Sequence, residues 1–489
     1  MATVNNIPSY SLYINGEWQK GTGGEHVRYS PAHGEPVAKY EKASQEDAQR
    51  AIAAARQAFD SGIWSGLDGA DRATVLLKFA DLLMENQQRL GQLESATHGT
   101  PLKYGLSFIK SAANTFRYFA GLARDLHGHA HGFGDNRMGM TLQEPVGVAS
   151  LILPWNFPIG ELSWKLGPAL AAGCTVVVKP DSNCAATTLE AGPLLAEAGL
   201  PAGVFNVVVG QSSQIGDTLT GHADIDAVSF TGSSACGRQV MISASSSVKP
   251  LHLELGGKSP LIIMEDADLD QAAADAAFGI FWHNGQVCTA CSRLLVHQAV
   301  YEPFIEKLIK VADSMKIGDP NDKATELGPM ISPEHRDSVI DYIQLGIDQG
   351  ARLVRDGREG LPAQGAYLGP TIFADVQSDM TIARDEIFGP VVCVLKIDDL
   401  DHAITVANDT EYGLGAGIWT RNIEAAMKSA RRIRSGQFWI NGYGSERLEM
   451  PWGGYKQSGF GRELGREAFE VFMQTKSVHI CHNFWPLKD

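Results

Sequence analysis

Val146-Gly-Val-Ala-Ser-Leu-Ile-Leu153 and, one helix length later, Thr175-Val-Val-Val-Lys179 form the stretch on which the reading of the fold turns. Both runs are short, apolar and rich in β-branched residues, as strands buried on both faces must be. The rhythm repeats at Phe205 to Val209 and at Ala227 to Phe230, again with helix-length spacers. This is the βαβ signature of a parallel sheet. A second series runs through Pro260 to Met264, Leu294 to His297, Val391 to Leu395 and Gln437 to Ile440, so two α/β units in tandem are expected. Upstream, Glu46 to Phe59 and Arg72 to Leu90 carry apolar residues at helical spacing, and Tyr13 to Trp18 reads as a hairpin around Asn15-Gly16. There is no internal repeat or low-complexity linker, and Ser245-Ser246-Ser247 reads as a helix end near the surface.

Composition narrows the class. A chain of 489 residues suggests about three units at roughly 150 residues each. Lys+Arg 41 against Asp+Glu 56 gives a net charge of −15, which argues against a nucleic-acid partner. Arg431-Arg432-Ile433-Arg434 reads as a solvated helix face. The N-terminal residues lack the charged and apolar regions of a secretory signal, and no stretch approaches the roughly 20 apolar residues that span a bilayer. Seven scattered cysteines do not make a disulfide framework, so a reducing, cytoplasmic setting is expected.

Phe230-Thr-Gly-Ser-Ser-Ala-Cys-Gly237 follows a strand and opens a helix, where backbone N–H groups and the helix dipole favour phosphate. It lacks the G-x-G-x-x-G fingerprint, and Arg238-Gln239 stand where a P-loop needs Lys-Ser/Thr, so nucleotide hydrolysis is not expected. By itself the turn serves equally well as a structural glycine turn. Lys179, at the carboxyl end of its strand, is placed either to meet a ribose or phosphate or simply to precede the turn at Pro180. Cys288 lies in a polar, glycine-broken segment after the alanine-rich run Ala272 to Ala277, where a thiol can remain reachable. Alone, it would read as an inert packed cysteine.

Pro154-Trp-Asn-Phe-Pro158, Lys179-Pro180, Phe230-Thr-Gly-Ser233, Leu253-Glu-Leu-Gly-Gly-Lys258, Gly285-Gln-Val-Cys288, Glu386-Ile-Phe-Gly-Pro390 and Gly453-Gly-Tyr-Lys-Gln-Ser-Gly459 occur together in this order. In them the chain resembles the aldehyde dehydrogenase superfamily, from about residue 10 to 480. The resemblance implies a Rossmann-like NAD(P)-binding domain (1–126 and 146–254), an α/β catalytic domain (255–471) and a small β-flap for oligomerisation (127–145 and 472–489). It also implies a homodimer or homotetramer, a small-molecule aldehyde substrate, and no metal, membrane or nucleic-acid partner.

The implied chemistry suits the residue types. A carbonyl carbon surrenders hydride readily only once it is tetrahedral, and a thiolate, here from Cys288, makes it so. Asn156 and the Cys288 backbone N–H would hold the oxyanion. Glu254 would activate water against the resulting thioester, its pKa raised by partial burial. Lys165 completes the catalytic set that the resemblance implies. For the cofactor, NAD or NADP, it implies Ile152, Trp155, Lys179, Ser182, Gly232, Ser233, Leu255, Glu386 and Phe388. Ser182 departs from the pattern, because many NAD-preferring members carry a glutamate there that grips the ribose hydroxyls. Without that charge a 2′-phosphate meets less repulsion, although Asp181 next door complicates the argument.

Phe157, Trp164, Trp282 and Trp452 fall where betaine-aldehyde and aminoaldehyde dehydrogenases line the substrate tunnel, and Glu161, one helical turn past Phe157, is placed to face the same tunnel and favour a cation further. Aromatic faces attract ammonium groups. The same bulk would suit an aromatic or aliphatic aldehyde, and that alternative stays open. Cys288-Thr-Ala-Cys291 also has the C-x-x-C spacing of thiol-disulfide oxidoreductases, a remote rival under which the other motifs have no purpose. Acylation of CoA in place of water is a nearer rival, disfavoured by the presence of Glu254.

Overall fold

The computed structural model describes residues 7–133 and 137–481. Residues 1–6 of the expected NAD(P)-binding domain and 134–136 and 482–489 of the expected flap lie outside the described residues.

The two quoted runs pair in parallel as Val148–Ile152 and Thr175–Lys179, with Ile152 opposite Lys179. They lie at the middle of an eight-stranded sheet in the order Gly459–Phe460, Leu251–Glu254, Ala227–Thr231, Val148–Ile152, Thr175–Lys179, Phe205–Val207, Leu12–Ile14, Glu17–Gln19. The five central strands are parallel, and the flanking strands pair antiparallel. Asn15 and Gly16 form the expected hairpin turn, both with positive φ. The helix Pro158–Ala172 is buried along nearly its whole length, as its nearly continuous apolar sequence requires. Pro158 starts it, and left-handed Gly173 ends it.

The second sheet has seven strands, in the order Arg352–Arg355, Thr371–Ala374, Val391–Ile397, Arg293–His297, Pro260–Ile263, Gly415–Trp419, Gln437–Ile440. All neighbours are parallel except the first pair. A third, antiparallel sheet joins Met473–Cys481 to Arg137–Pro145 and Ala130–Gly132. The fold is thus α/β, with a Rossmann-like sheet, a second α/β sheet and a small β-flap.

Two expectations change. Arg72 to Leu90 is not one helix, because Gly69–Glu85 ends at Asn86 and Gln87–His98 restarts. The stretch 452–471, which the resemblance groups with the catalytic domain, packs Trp452, Leu464 and Phe469 into the core of the first sheet, with Phe472 of the flap segment beside them. Among the described residues, no helix is long and apolar enough to cross a membrane.

Candidate active site

Val148–Ile152 is flanked by Thr175–Lys179 on one side and Ala227–Thr231 on the other, so the strand order reverses there. Open α/β sheets bind ligands beyond the carboxyl ends of the strands at such a switch point. A cavity of about 350 Å³ opens at this place, lined by Trp155, Asn156, Gly232, Ser233, Leu255, Glu386 and Phe388. A smaller recess of about 70 Å³ is lined by Phe108, Phe157, Trp164, Trp282, Glu446 and Trp452. Cys288 and Glu161 border both spaces. The thiol therefore stands where the two cavities meet.

Cys288 is half-buried at the end of the turn that follows Leu269–Phe281. Burial, then the nearby Glu254, Glu161 and Glu386, push its thiol well above the usual range. Glu254 ends the strand Leu251–Glu254 and is fully buried, with neither carboxylate oxygen hydrogen-bonded. Burial, then Glu463 and Glu161, raise its pKa well above the carboxylate range, while Lys165 pulls the other way. A carboxyl raised in this way can accept a proton near neutral pH, although Glu254 itself lines neither cavity. Gly256 and Gly257 follow because nothing larger fits: a Cβ would come within 2.0 Å of Glu386 Oε2 at the first and 2.5 Å of the Cys288 carbonyl at the second. Gly257 N–H donates to Glu386 Oε1 at 2.9 Å.

Asn156 Nδ2 donates to the Gln286 carbonyl at 3.0 Å, which leaves the second amide hydrogen free for an oxyanion. Lys165 does not line either cavity. It lies beneath them, donating to Thr231 Oγ1 at 2.6 Å and paired with Glu463, with Glu161 at 3.7 Å. Glu161 is pushed up to about 8 by burial and by Glu463, so its charge is weak at neutral pH and faces a lysine. Glu446, on the rim of the smaller recess, is likewise pushed up by burial, to about 7.

Phe157 stacks on Trp282 with centroids 5.6 Å apart, and Trp164 meets Trp452 at 5.4 Å. Cys291 is fully buried and its thiol donates to the Ala276 carbonyl at 3.5 Å, pointing into the helix Leu269–Phe281. Both cysteines of the C-x-x-C are free.

The residues present fit a dinucleotide. Ser233 caps the helix Ser234–Ala244, whose N-terminus opens beside the larger cavity. Phe388 and Trp155 meet edge to face at 5.3 Å. A further space of about 440 Å³ collects Lys179, Asp181, Ser182, His26 and Lys42, as the adenosine end of such a ligand requires. Ile152 lies at the strand end below, its side chain in the core.

The model of the "Aldehyde dehydrogenase family" matches residues 18–478. The chain belongs to the aldehyde dehydrogenase family. As a member, it is an oxidoreductase. It is 42% identical over 478 residues to the betaine aldehyde dehydrogenase of Bacillus subtilis (strain 168), covering 96% of this chain and 97% of that one. To the mitochondrial benzaldehyde dehydrogenase of Antirrhinum majus it is 41% identical over 470 residues, covering 96% and 88%. The crystal structure of an NAD-dependent aldehyde dehydrogenase from Sinorhizobium meliloti superposes with TM-score 0.96 at 41% identity, covering 98% and 96%.

Sequence reasoning missed His283, His98, Glu463 and Glu446, all of which touch this aldehyde dehydrogenase site or its supports. Each arrives through long-range packing, and no local spacing marks it.

Proposed function

We propose that this chain oxidises an aldehyde to the carboxylic acid, with NAD as hydride acceptor and a cationic aldehyde of betaine or ω-amino type as substrate. The carrying observation is Cys288 at the junction of two cavities, with Asn156 lining the larger one and the buried Glu254 close enough to raise the thiol.

The Cys288 sulfur adds to the carbonyl carbon and its proton leaves to solvent. The new oxyanion is held by the free Asn156 N–H and the Cys288 backbone N–H. The bound dinucleotide supplies the acceptor for the hydride that then leaves this carbon. Glu254 next takes a proton from water, whose oxygen adds to the thioester; the C–S bond breaks and the acid departs. Lys165 acts from below by keeping a positive charge near Glu254. Trp155, Lys179, Glu386 and Phe388 hold the cofactor. Ser182, with Lys42 and Lys179 in the same space, supports acceptance of NADP as well.

Glu446 and the faces of Phe157, Trp164, Trp282 and Trp452 favour an ammonium group. The second reading, an uncharged aromatic or aliphatic aldehyde, draws on the tight apolar packing of Phe108 with Phe157 and Trp282 in the same recess. The flap, with Phe133, Met138 and Leu142 exposed, supports assembly into a dimer or a dimer of dimers. Free cysteines suit a cytoplasmic enzyme. The test is a panel of ammonium-bearing, aromatic and aliphatic aldehydes, each with NAD and NADP, read by nicotinamide absorbance in wild type and Cys288→Ser. Turnover of ammonium-bearing aldehydes in wild type alone is expected to be strongest; activity surviving in Cys288→Ser would overturn the mechanism.

A further inference from the structure

Three residues in succession before the nucleophile, His283, Asn284 and Gly285, have φ of 56°, 57° and 67°. Two non-glycine residues in the left-handed region cost on the order of 1 kcal/mol each, so the surroundings must fix them there. Gly285 is forced, because a Cβ would approach the Gly389 carbonyl to 2.2 Å. This turn carries the His283 ring inward, against Phe157 at 4.6 Å on one side and His98 at 4.5 Å on the other. Neither ring is open to solvent.

The polar contacts of His283 are specific. Its Nε2 lies 2.7 Å from the backbone carbonyl of Asn156, an acceptor only, so Nε2 carries the proton. Nδ1 is then free to accept from Thr100 Oγ1 at 3.5 Å. The side chain of Asn156 is tied to the same turn through Gln286, whose own amide reaches the His283 carbonyl at 3.1 Å and whose oxygen takes the Ile331 N–H at 2.9 Å. Main chain and side chain of Asn156 are thus both anchored to the segment that presents Cys288.

We infer that His283 is a positioning residue, which sets the oxyanion donor Asn156 relative to the Cys288 sulfur through its Nε2–H bond to the Asn156 carbonyl. The inference rests on the proposed role of Asn156. Burial holds the imidazole far below its ordinary range, at about 4, so it stays a neutral donor across the working range of the enzyme. A displacement of the donor by a fraction of an ångström is enough to weaken transition-state stabilisation, whereas cofactor binding and the thiol itself are untouched.

The test uses single-turnover NADH formation, iodoacetamide inactivation of Cys288 and NAD binding in the full-length enzyme. His283→Phe keeps the stack and removes the donor; the single-turnover rate should fall by about 10- to 100-fold, with the alkylation rate and NAD affinity within about twofold of wild type. His283→Gln, whose amide reaches the Nε2 position, should restore the rate to within about threefold. His283→Asn, whose amide is too short, should not, and this pair decides the matter if the Phe variant does not fold. A wild-type rate in His283→Phe or His283→Asn, or equal losses in the Gln and Asn variants, would overturn the assignment. Absence of NADH from the wild type would instead refute the dehydrogenase reading.

Discussion

Lys165 and Glu463, 298 positions apart in sequence, meet as an ion pair with 0% and 3% of their side chains exposed. Glu161 and Thr231 complete the cluster, directly below Glu254. Removing one member of a buried pair strands the other charge, at a cost of about 3 to 5 kcal/mol. Lys165→Met should therefore lower the denaturant midpoint sharply. Because the Lys165 cation holds the Glu254 pKa down, its loss should also move the acidic limb of the kcat profile to higher pH. An unmoved limb would separate Lys165 from the base.

Glu254 raises the pKa of the Cys288 thiol and, in the proposed mechanism, drives deacylation. Glu254→Gln should give one burst of NADH and then almost no turnover. The same change removes a negative neighbour, so the thiol pKa falls and iodoacetamide should inactivate the variant faster than wild type at neutral pH. Slower inactivation would mean that Glu254 instead serves as the base for the thiol.

Glu94 lies away from the chemistry and supports its scaffold. Its Oε1 accepts from the Ile159 N–H at 3.2 Å and the Thr187 hydroxyl at 2.6 Å, near the start of the helix that carries Glu161 and Lys165. Burial pushes its pKa up to about 7, against about 4.3 in an unfolded chain. A raised carboxyl binds its proton more tightly when folded, so this contribution is fully present below the unfolded value and is lost as pH rises to about 7. Unfolding measured at pH 5 and pH 8 should show a smaller loss of stability in Glu94→Gln than in wild type; equal losses would exclude the group.

The strands nearest the site were legible because burial on both faces demands unbroken apolar runs such as Thr175 to Val178. Gly415–Trp419 was not, since its glycines carry no strand signal. They are small because a Cβ on Gly417 would come within 3.0 Å of Leu261 and Tyr443. The helical period across Arg72 to Leu90 hid the break at Asn86, whose side chain donates to the Leu82 carbonyl at 2.9 Å and competes with the helix. Cys288, Asn156 and Glu254 stood out through their motifs. His283 and Glu463 did not, because their partners Asn156 and Lys165 lie far away in the sequence.

At the adenosine end, Ser182 shares its space with Lys42, Lys179 and Asp181. A carboxylate in place of the hydroxyl would repel the 2′-phosphate of NADP and accept a hydrogen bond from the 2′-hydroxyl of NAD. Ser182→Glu should reduce kcat/KM with NADP relative to NAD by about tenfold, or about 1.4 kcal/mol. An unchanged ratio would show that Ser182 does not read the ribose.

Glu446 is the less shifted carboxylate on the substrate recess: burial raises it to about 7, against about 8 for Glu161, which faces Lys165. An ammonium group entering between Trp282 and Trp452 would meet it near the solvent boundary. The attraction there is screened, so its worth is about 1 kcal/mol or less, not that of a buried pair. Glu446→Gln should raise KM for an ω-aminoaldehyde about three- to fivefold and leave an uncharged aldehyde of equal length unaffected. The difference should shrink as ionic strength is raised. Equal changes for both substrates would mean that Glu446 shapes the recess without reading charge, and the uncharged aldehyde would become the better reading of this pocket.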